Sequence, residues 1–262
     1  MAKVSGTKEW SVASDNCVLG CSHQCRYCYA RSMAFQYRRI QDANEWGTTY
    51  NHVRKGQITK RRDKVTGGRV MFPTTHDITP EHLDACLVVI QKNLQVGNQL
   101  LITSKPHLDC IQQICEHCFS RRDQILFRFT IGACDQDILH YWEPGAPTFL
   151  ERTGALRLAY SWGFQTSVSC EPLLDSENVL ELIDYLTPWT TDSIWIGKMN
   201  QVRKRCIDGT NEEAIQCILG GQTDEMVLKV YHQLKDHPLI KWKESYKEVV
   251  GLELPQEIGL DV

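Results

Sequence analysis

The chain has 262 residues, 42% of them hydrophobic and 23% charged, with a formal net charge of −3 and no internal repeat or low-complexity segment. That balance suits one soluble domain with a full core, or one domain with a short appendage. No apolar run reaches the roughly 18 residues a membrane span needs, and the N-terminus has no signal-peptide apolar region, so a cytoplasmic protein with no membrane partner is expected. Its 12 cysteines are then reduced thiols rather than a disulfide scaffold. The net charge gives no global attraction to nucleic acid. Basic residues nonetheless clump at Arg38-Arg39, Lys60-Arg61-Arg62, Arg121-Arg122 and Arg203-Lys204-Arg205, each readable as a phosphate contact or as a solvated face.

Short β-rich runs alternate with longer helical stretches, the pattern of parallel β/α units. Six strands are predicted, at about residues 11–16, 69–72, 99–104, 125–132, 164–170 and 193–197. Six are too few for the eight-stranded barrel and suit an α/β partial (β/α)6 barrel of parallel strands, with its chemistry at their C-terminal ends. The barrel domain is predicted to span 1–235, and 236–262, with Trp242 and Tyr246, to form an appended helix or tail.

After the first strand comes Cys21-Ser22-His23-Gln24-Cys25-Arg26-Tyr27-Cys28-Tyr29, three cysteines at C-x3-C-x2-C. Three thiolates close in sequence can hold three irons of a cubane cluster. A [4Fe–4S] cluster normally takes four cysteines, so one iron is left to bind a small molecule. Zinc is the competing metal, because Cys25-x2-Cys28 is half of a zinc knuckle and His23 or Cys17 could complete it. Residues 43–68, polar and rich in glycine, lysine and arginine, are too long for an ordinary connection and suit a lid or substrate-facing loop.

Thr74-Thr75-His76-Asp77-Ile78 follows the second strand, with His76 and Asp77 as available hydrogen-bond partners. Thr79-Pro80-Glu81 then opens a helix. In the third strand Leu101, Thr103 and Lys105 share a face, and Lys105 falls just past its end. Cys110, Cys115 and Cys118 stand at C-x4-C-x2-C in a predicted helix, as buried structural thiols or as an auxiliary cluster site. In the fourth strand Phe127, Phe129 and Ile131 face helices, which turns Arg128 and Thr130 inward. Cys134, just beyond, is a redox-thiol candidate at the rim. Thr148 and Glu151 read as a capping box for a helix through Tyr160. The same parity turns Gln165, Ser167, Ser169 and Glu171 inward and Cys170 toward helices. Asp175-Ser176 caps a helix to about Leu186. So polar an interior argues for a liganded cavity.

The cysteine spacing, with Tyr27 before the third cysteine and Tyr29-Ala30 after it, resembles the signature of the radical S-adenosylmethionine (AdoMet) superfamily, radical SAM. Asn16-Cys17 and Gly20-Cys21, Ser104-Lys105 closing a strand, and Trp142-Glu143-Pro144-Gly145-Ala146-Pro147 leading to Arg152 and Ala155-Leu156 look like the subgroup built around spore photoproduct lyase and its relatives. The likeness runs in patches from about Asn16 to Asp175. It implies a [4Fe–4S] cluster on Cys21, Cys25 and Cys28, with AdoMet on the open iron. One electron would cleave AdoMet to a 5′-deoxyadenosyl radical that abstracts hydrogen from a substrate. It places Lys105 and Thr130 near AdoMet; strand parity adds Glu171, and the loop after the second strand adds His76, as further cofactor-binding positions. Tyr27 and Tyr29 fall on tyrosines implicated in radical relay, where packing beside the cluster is the other role open to them. A reductant such as flavodoxin or ferredoxin is the implied partner. A nucleic-acid base or nucleotide is the first substrate class, a peptide or small metabolite the second. The rival from another class is a zinc-stabilised nucleic-acid-binding module without catalysis. One departure stands out: Thr74 lies where the lyase has a cysteine that returns hydrogen to the product radical, so photoproduct repair does not carry over. The glycine-rich turn that many radical SAM enzymes place here is also missing.

Overall fold

A computed structural model describes residues 4–207 and 209–259. In chain order the strands are β1 (Ala13–Ser14), β2 (Val18–Leu19), β3 (His52–Val53), β4 (Val70–Phe72), β5 (Leu100–Ser104), β6 (Ile125–Thr130), β7 (Gln165–Cys170), β8 (Ile194–Ile196) and β9 (Ile240–Trp242). The helices are α1 (Tyr29–Gln36), α2 (Lys55–Thr59), α3 (Leu83–Gln95), α4 (Leu108–Cys118), α5 (Gln136–Trp142), α6 (Phe149–Ser161), α7 (Val179–Leu186), α8 (Val202–Arg205), α9 (Glu212–Gly221), α10 (Asp224–Leu234) and α11 (Glu244–Val250). No helix is long and apolar enough to cross a membrane among the described residues.

Seven strands form one parallel sheet in the order β1-β4-β5-β6-β7-β8-β9, and β2 pairs antiparallel with β3 beside it. At least one helix follows each of β4 to β9, the β/α alternation that parallel strands require. This is the open, barrel-like α/β architecture expected, with one strand more. The seventh strand comes from the segment expected to be a helix or tail: Ile240 pairs with Ile194 and Trp242 with Ile196, and α11 follows. Residues 260–262 of that segment lie outside the described residues.

The period-2 rule holds across the sheet. Phe127, Phe129, Ile131, Val168 and Cys170 join the core between sheet and helices, with Ile90, Leu94, Ile114 and Leu156 opposite. Each such side chain, taken fully out of water, contributes about 1.5–3 kcal/mol. The other face carries a small apolar cluster of Met71, Leu101 and Leu126 with Trp10 against it, and Arg128 stands among them. Its Nε donates to Ser167 Oγ at 2.9 Å, and its guanidinium lies 4.6 Å over the Trp10 ring and 5.1 Å over Trp195. These rings and Arg128 make the floor of the interior.

The predicted helix starts are met in part. Thr148 Oγ accepts from Glu151 N–H at 3.2 Å, but the Glu151 carboxylate does not return to the cap; it accepts from Leu108 N–H at 3.2 Å, so only half of the capping box forms. Thr79 makes no side-chain cap, and a 3-10 turn at Pro80–His82 precedes α3. The helix expected from Asp175-Ser176 begins at Val179, with Asp175 accepting from Asn178 N–H at 3.3 Å.

Candidate functional site

The C-terminal ends of β4 to β8 open onto a cavity of about 510 Å³. Cys21, Cys25 and Cys28 line it together with Tyr27 and Tyr29 from the same loop, Thr74 to Asp77 after β4, Lys105 after β5, Thr130 ending β6, Glu171 after β7 and Lys198 after β8. Of the sequence-predicted site residues, nine meet here, all but Cys134, among them His76 and Glu171. Cys134 packs against the helix-side core near Cys170, and burial pushes its thiol up to about 11, so it neither reaches the cavity nor ionises readily. Cys110, Cys115 and Cys118 are buried on α4 within the main core, as structural thiols are.

The cysteine loop is held from three sides. Cys21 N–H donates to Trp46 O at 3.0 Å, from the 3-10 turn Ala43–Gly47, so part of the 43–68 segment is a buttress whose Trp46 also lines the cavity. Gly20 makes this close approach possible: its φ is +81°, and a Cβ there would stand 2.4 Å from Trp46 O. On the second side Gly145 N–H donates to His23 O at 3.0 Å. On the third, Cys28 Sγ caps α1 by accepting from Arg31 N–H at 3.4 Å.

Asp77 is the electrostatic centre. Its Oδ1 accepts from Lys105 N–H at 2.8 Å and Ser104 Oγ at 3.1 Å, while Oδ2 meets His23 Nδ1 at 2.9 Å and Lys105 Nζ at 3.5 Å. Burial alone would raise its carboxyl, but Lys105 and His23 outweigh that and hold it well below the usual carboxylate range. Burial pushes the Cys25 thiol up to about 12, with Lys105 pulling the other way, and lifts Cys21 well above its ordinary value. Such thiols release protons when they bind a metal.

His76 lines the cavity, but its ring serves the backbone: Nδ1–H donates to Asp77 O at 2.9 Å, and Nε2 accepts from Cys17 N–H at 3.2 Å and Val18 N–H at 3.3 Å. Tyr27 donates its hydroxyl to Glu143, which pairs with fully buried Arg152 at 2.5 Å, and Tyr29 O–H donates to Thr74 O at 2.6 Å. Burial, then Glu143, drives the Tyr27 phenol well above its ordinary value.

Neither fourth ligand considered for zinc is presented. His23 has both ring nitrogens engaged, Nδ1 by Asp77 and Nε2 by His107 Nε2 at 2.9 Å. Cys17 is buried with its Sγ 3.8 Å from that of Cys86. Cys21, His23 and Asp77 do bring one ligand atom each within 4.8 Å of one another. A cubane needing three thiolates and an open position is served by the three cysteines at the cavity.

Sequence reasoning named Asp77 only as a hydrogen-bond partner and missed Lys243, which follows β9 and lies 3.5 Å from Glu171. It also missed Ser5 to Lys8 and Trp10, which line one wall around the 3-10 turn Gly6–Glu9. A lysine directly after a recognised strand would have been the signal, as it was for Lys105.

No protein-family model matches the sequence, and no curated protein does. Solved structures do. A cysteine-to-serine mutant of spore photoproduct lyase superposes with a TM-score of 0.56 over 92% of this chain and 78% of its own, at 16% identity. The chain has the radical SAM fold. The same lyase complexed with dinucleoside spore photoproduct gives a TM-score of 0.52 at 14% identity, covering 86% of this chain and 74% of that one. Streptococcus suis SuiB bound to S-adenosylmethionine gives 0.50 at 10% identity, over 89% of this chain but 47% of SuiB. Likeness at such identities is one of radical SAM architecture; reaction and substrate depend on the residues in the cavity.

Proposed function

We propose that the protein is a radical SAM enzyme in which Cys21, Cys25 and Cys28 hold three irons of a [4Fe–4S] cluster and AdoMet takes the fourth. The observation that carries this reading is the convergence of the three spaced cysteines on one cavity at the C-terminal strand ends. When bound, the cluster supplies an electron from a reductant such as flavodoxin or ferredoxin to cleave AdoMet, giving a radical that takes hydrogen from the substrate. Lys105 offers its ammonium to the AdoMet carboxylate while Asp77 holds its backbone N–H at 2.8 Å and lies 3.5 Å from its Nζ. Thr130 and Glu171 offer hydrogen bonds from neighbouring strand ends, and His76 holds the post-β4 segment in place. Tyr27 and Tyr29 flank the ligands as relay or packing groups. The substrate is a nucleic-acid base or nucleotide, supported by the lyase's dinucleoside complex and by the basic clumps; the cytoplasm suits both cluster and thiols.

Anaerobically reconstituted protein is expected to hold about four irons and four sulfides with broad absorption near ~400 nm that bleaches on reduction. Alanine at Cys21, Cys25 and Cys28 together should abolish both. A triple variant that keeps its iron, or wild type that takes up only zinc, overturns the reading. Lys105→Ala should weaken AdoMet binding by about 1.5–3 kcal/mol; unchanged anaerobic affinity removes Lys105 from the site.

A further inference from the structure

We propose that Arg205 and Lys198 bind an oxyanion of the substrate, a phosphate or a carboxylate, inside the same cavity. This rests on the reading of the cavity as the AdoMet and substrate site.

Most cations of the interior have partners. Lys105 has Asp77 at 3.5 Å, Lys243 has Glu9 at 2.7 Å, Arg128 has Ser167 at 2.9 Å and Arg152 has Glu143 at 2.5 Å. Arg205 differs. It lines the cavity and is half-buried, yet among the described residues no acceptor takes a hydrogen bond from its guanidinium and no carboxylate lies within 4.0 Å of it. The Tyr29 ring centroid lies 5.9 Å away, and Glu171 and Cys28 act on the guanidinium charge from beyond hydrogen-bond reach. Glu171, the acid sharing this part of the cavity, is engaged by Lys243 at 3.5 Å.

A guanidinium has five N–H donors in a planar fork that matches two oxygens of one phosphate or carboxylate. Here the chain has already removed much of its water without supplying the oxygens. Lys198, seven residues earlier, also lines the cavity. Among the described residues its Nζ has only Asp224 at 3.5 Å, a carboxylate 80% exposed, and such surface pairs are worth little and yield easily.

The segment carrying both is pinned by its backbone. Lys198 N–H donates to Ser245 Oγ at 3.0 Å, and Met199 N–H to Gln222 Oε1 at 2.9 Å. Ser32 Oγ donates to Lys204 O at 3.2 Å beside Arg205, so two cations on a tethered segment, one with no hydrogen-bond acceptor among the described residues, make a preorganised oxyanion site. The AdoMet carboxylate is assigned to Lys105, which leaves this pair for the substrate.

The test is titration calorimetry on anaerobic, cluster-loaded protein with inorganic phosphate and, separately, acetate; which one binds more tightly tells phosphate from carboxylate. Arg205→Gln should weaken the preferred anion about tenfold or more, Lys198→Gln less, and Arg205→Lys by an intermediate amount, since it keeps the charge and loses the fork. AdoMet affinity should stay within about twofold in all three. The proposal fails if neither anion binds wild type, if the variants bind them as wild type does, or if Arg205→Gln loses AdoMet affinity instead. Repeating the titration on iron-free protein separates this from the parent reading: wild type that binds the anion yet takes up no iron and sulfide on anaerobic reconstitution sinks the radical SAM proposal alone.

Discussion

Lys243 is buried to 0% exposure and has three carboxylates around it: Glu9 at 2.7 Å, Glu171 at 3.5 Å and Glu244 at 3.9 Å. One ammonium cannot offset three buried negative charges, so one carboxyl keeps its proton. That group is Glu9, raised from its ordinary 4.5 to about 9, by burial first and then by its hydrogen bond with Glu244. A raised value in the folded state means that the folded protein holds a proton the unfolded chain gives up. The stabilisation is therefore complete below 4.5 and is lost as pH climbs toward about 9. Glu9→Gln, which imitates the protonated carboxyl, should flatten this decline, read as the urea midpoint near the two ends of that window. Equal slopes in variant and wild type would place the proton elsewhere. Glu171 was legible in the sequence because period-2 parity turned it inward. Glu9 and Lys243 were not, because neither belongs to a strand that composition marks.

At the scale of elements, the cysteine loop depends on neighbours far away in sequence. Its cysteines were legible because they stand close together in sequence, and the inward residues of β6 and β7 were legible because strands alternate strictly. The buttress from residues 43–47 was not, since a polar, glycine-bearing stretch reads equally as a free loop. Nor was β9: three residues with exposed Lys241 at the centre give too short an apolar signal, and pairing with β8 supplies what propensity does not. The connection between α5 and α6 is the other support, and Gly145 is its closest approach. A Cβ there would stand 2.3 Å from Ser22 O and 3.0 Å from His23 Cα, both backbone atoms that cannot rotate away. Gly145→Ala is expected to displace the cysteine loop, costing about 1–3 kcal/mol of stability and lowering the iron retained after desalting. Ala146→Gly is a control on the same connection. Full iron retention in Gly145→Ala, with an unchanged melting temperature, would show that the loop does not rest on this contact.

The whole molecule has a fold like that of two proteins solved with different ligands, a dinucleoside photoproduct in the lyase and S-adenosylmethionine in SuiB, so what the architecture does here is decided by the residues presented to the cavity. Thr74 is the deciding one for photoproduct repair. Its Oγ accepts from Asn16 Nδ2 at 2.7 Å, and its place after β4 is fixed by Thr74 N–H donating to Asn16 Oδ1 at 2.7 Å. A thiol returns hydrogen to a thymine-type radical quickly because its S–H bond is weaker than the C–H bond formed; the O–H bond of a threonine is stronger. Another cysteine would have to substitute, yet among the described residues only Cys21, Cys25 and Cys28 line the cavity, and these are assigned to iron. Cys134 is held against the core beside Cys170. The protein is therefore expected to cleave AdoMet without restoring thymines at an enzymatic rate. The measurement is anaerobic incubation of reduced, cluster-loaded protein and AdoMet with the dinucleoside photoproduct, following thymidine products and 5′-deoxyadenosine together by chromatography. Formation of 5′-deoxyadenosine with little or no repaired dinucleoside is the expected result. Rapid, clean repair would mean that a hydrogen donor reaches the substrate from outside this cavity, and persistence of that repair in Cys134→Ala would exclude the Cys134 thiol as its source.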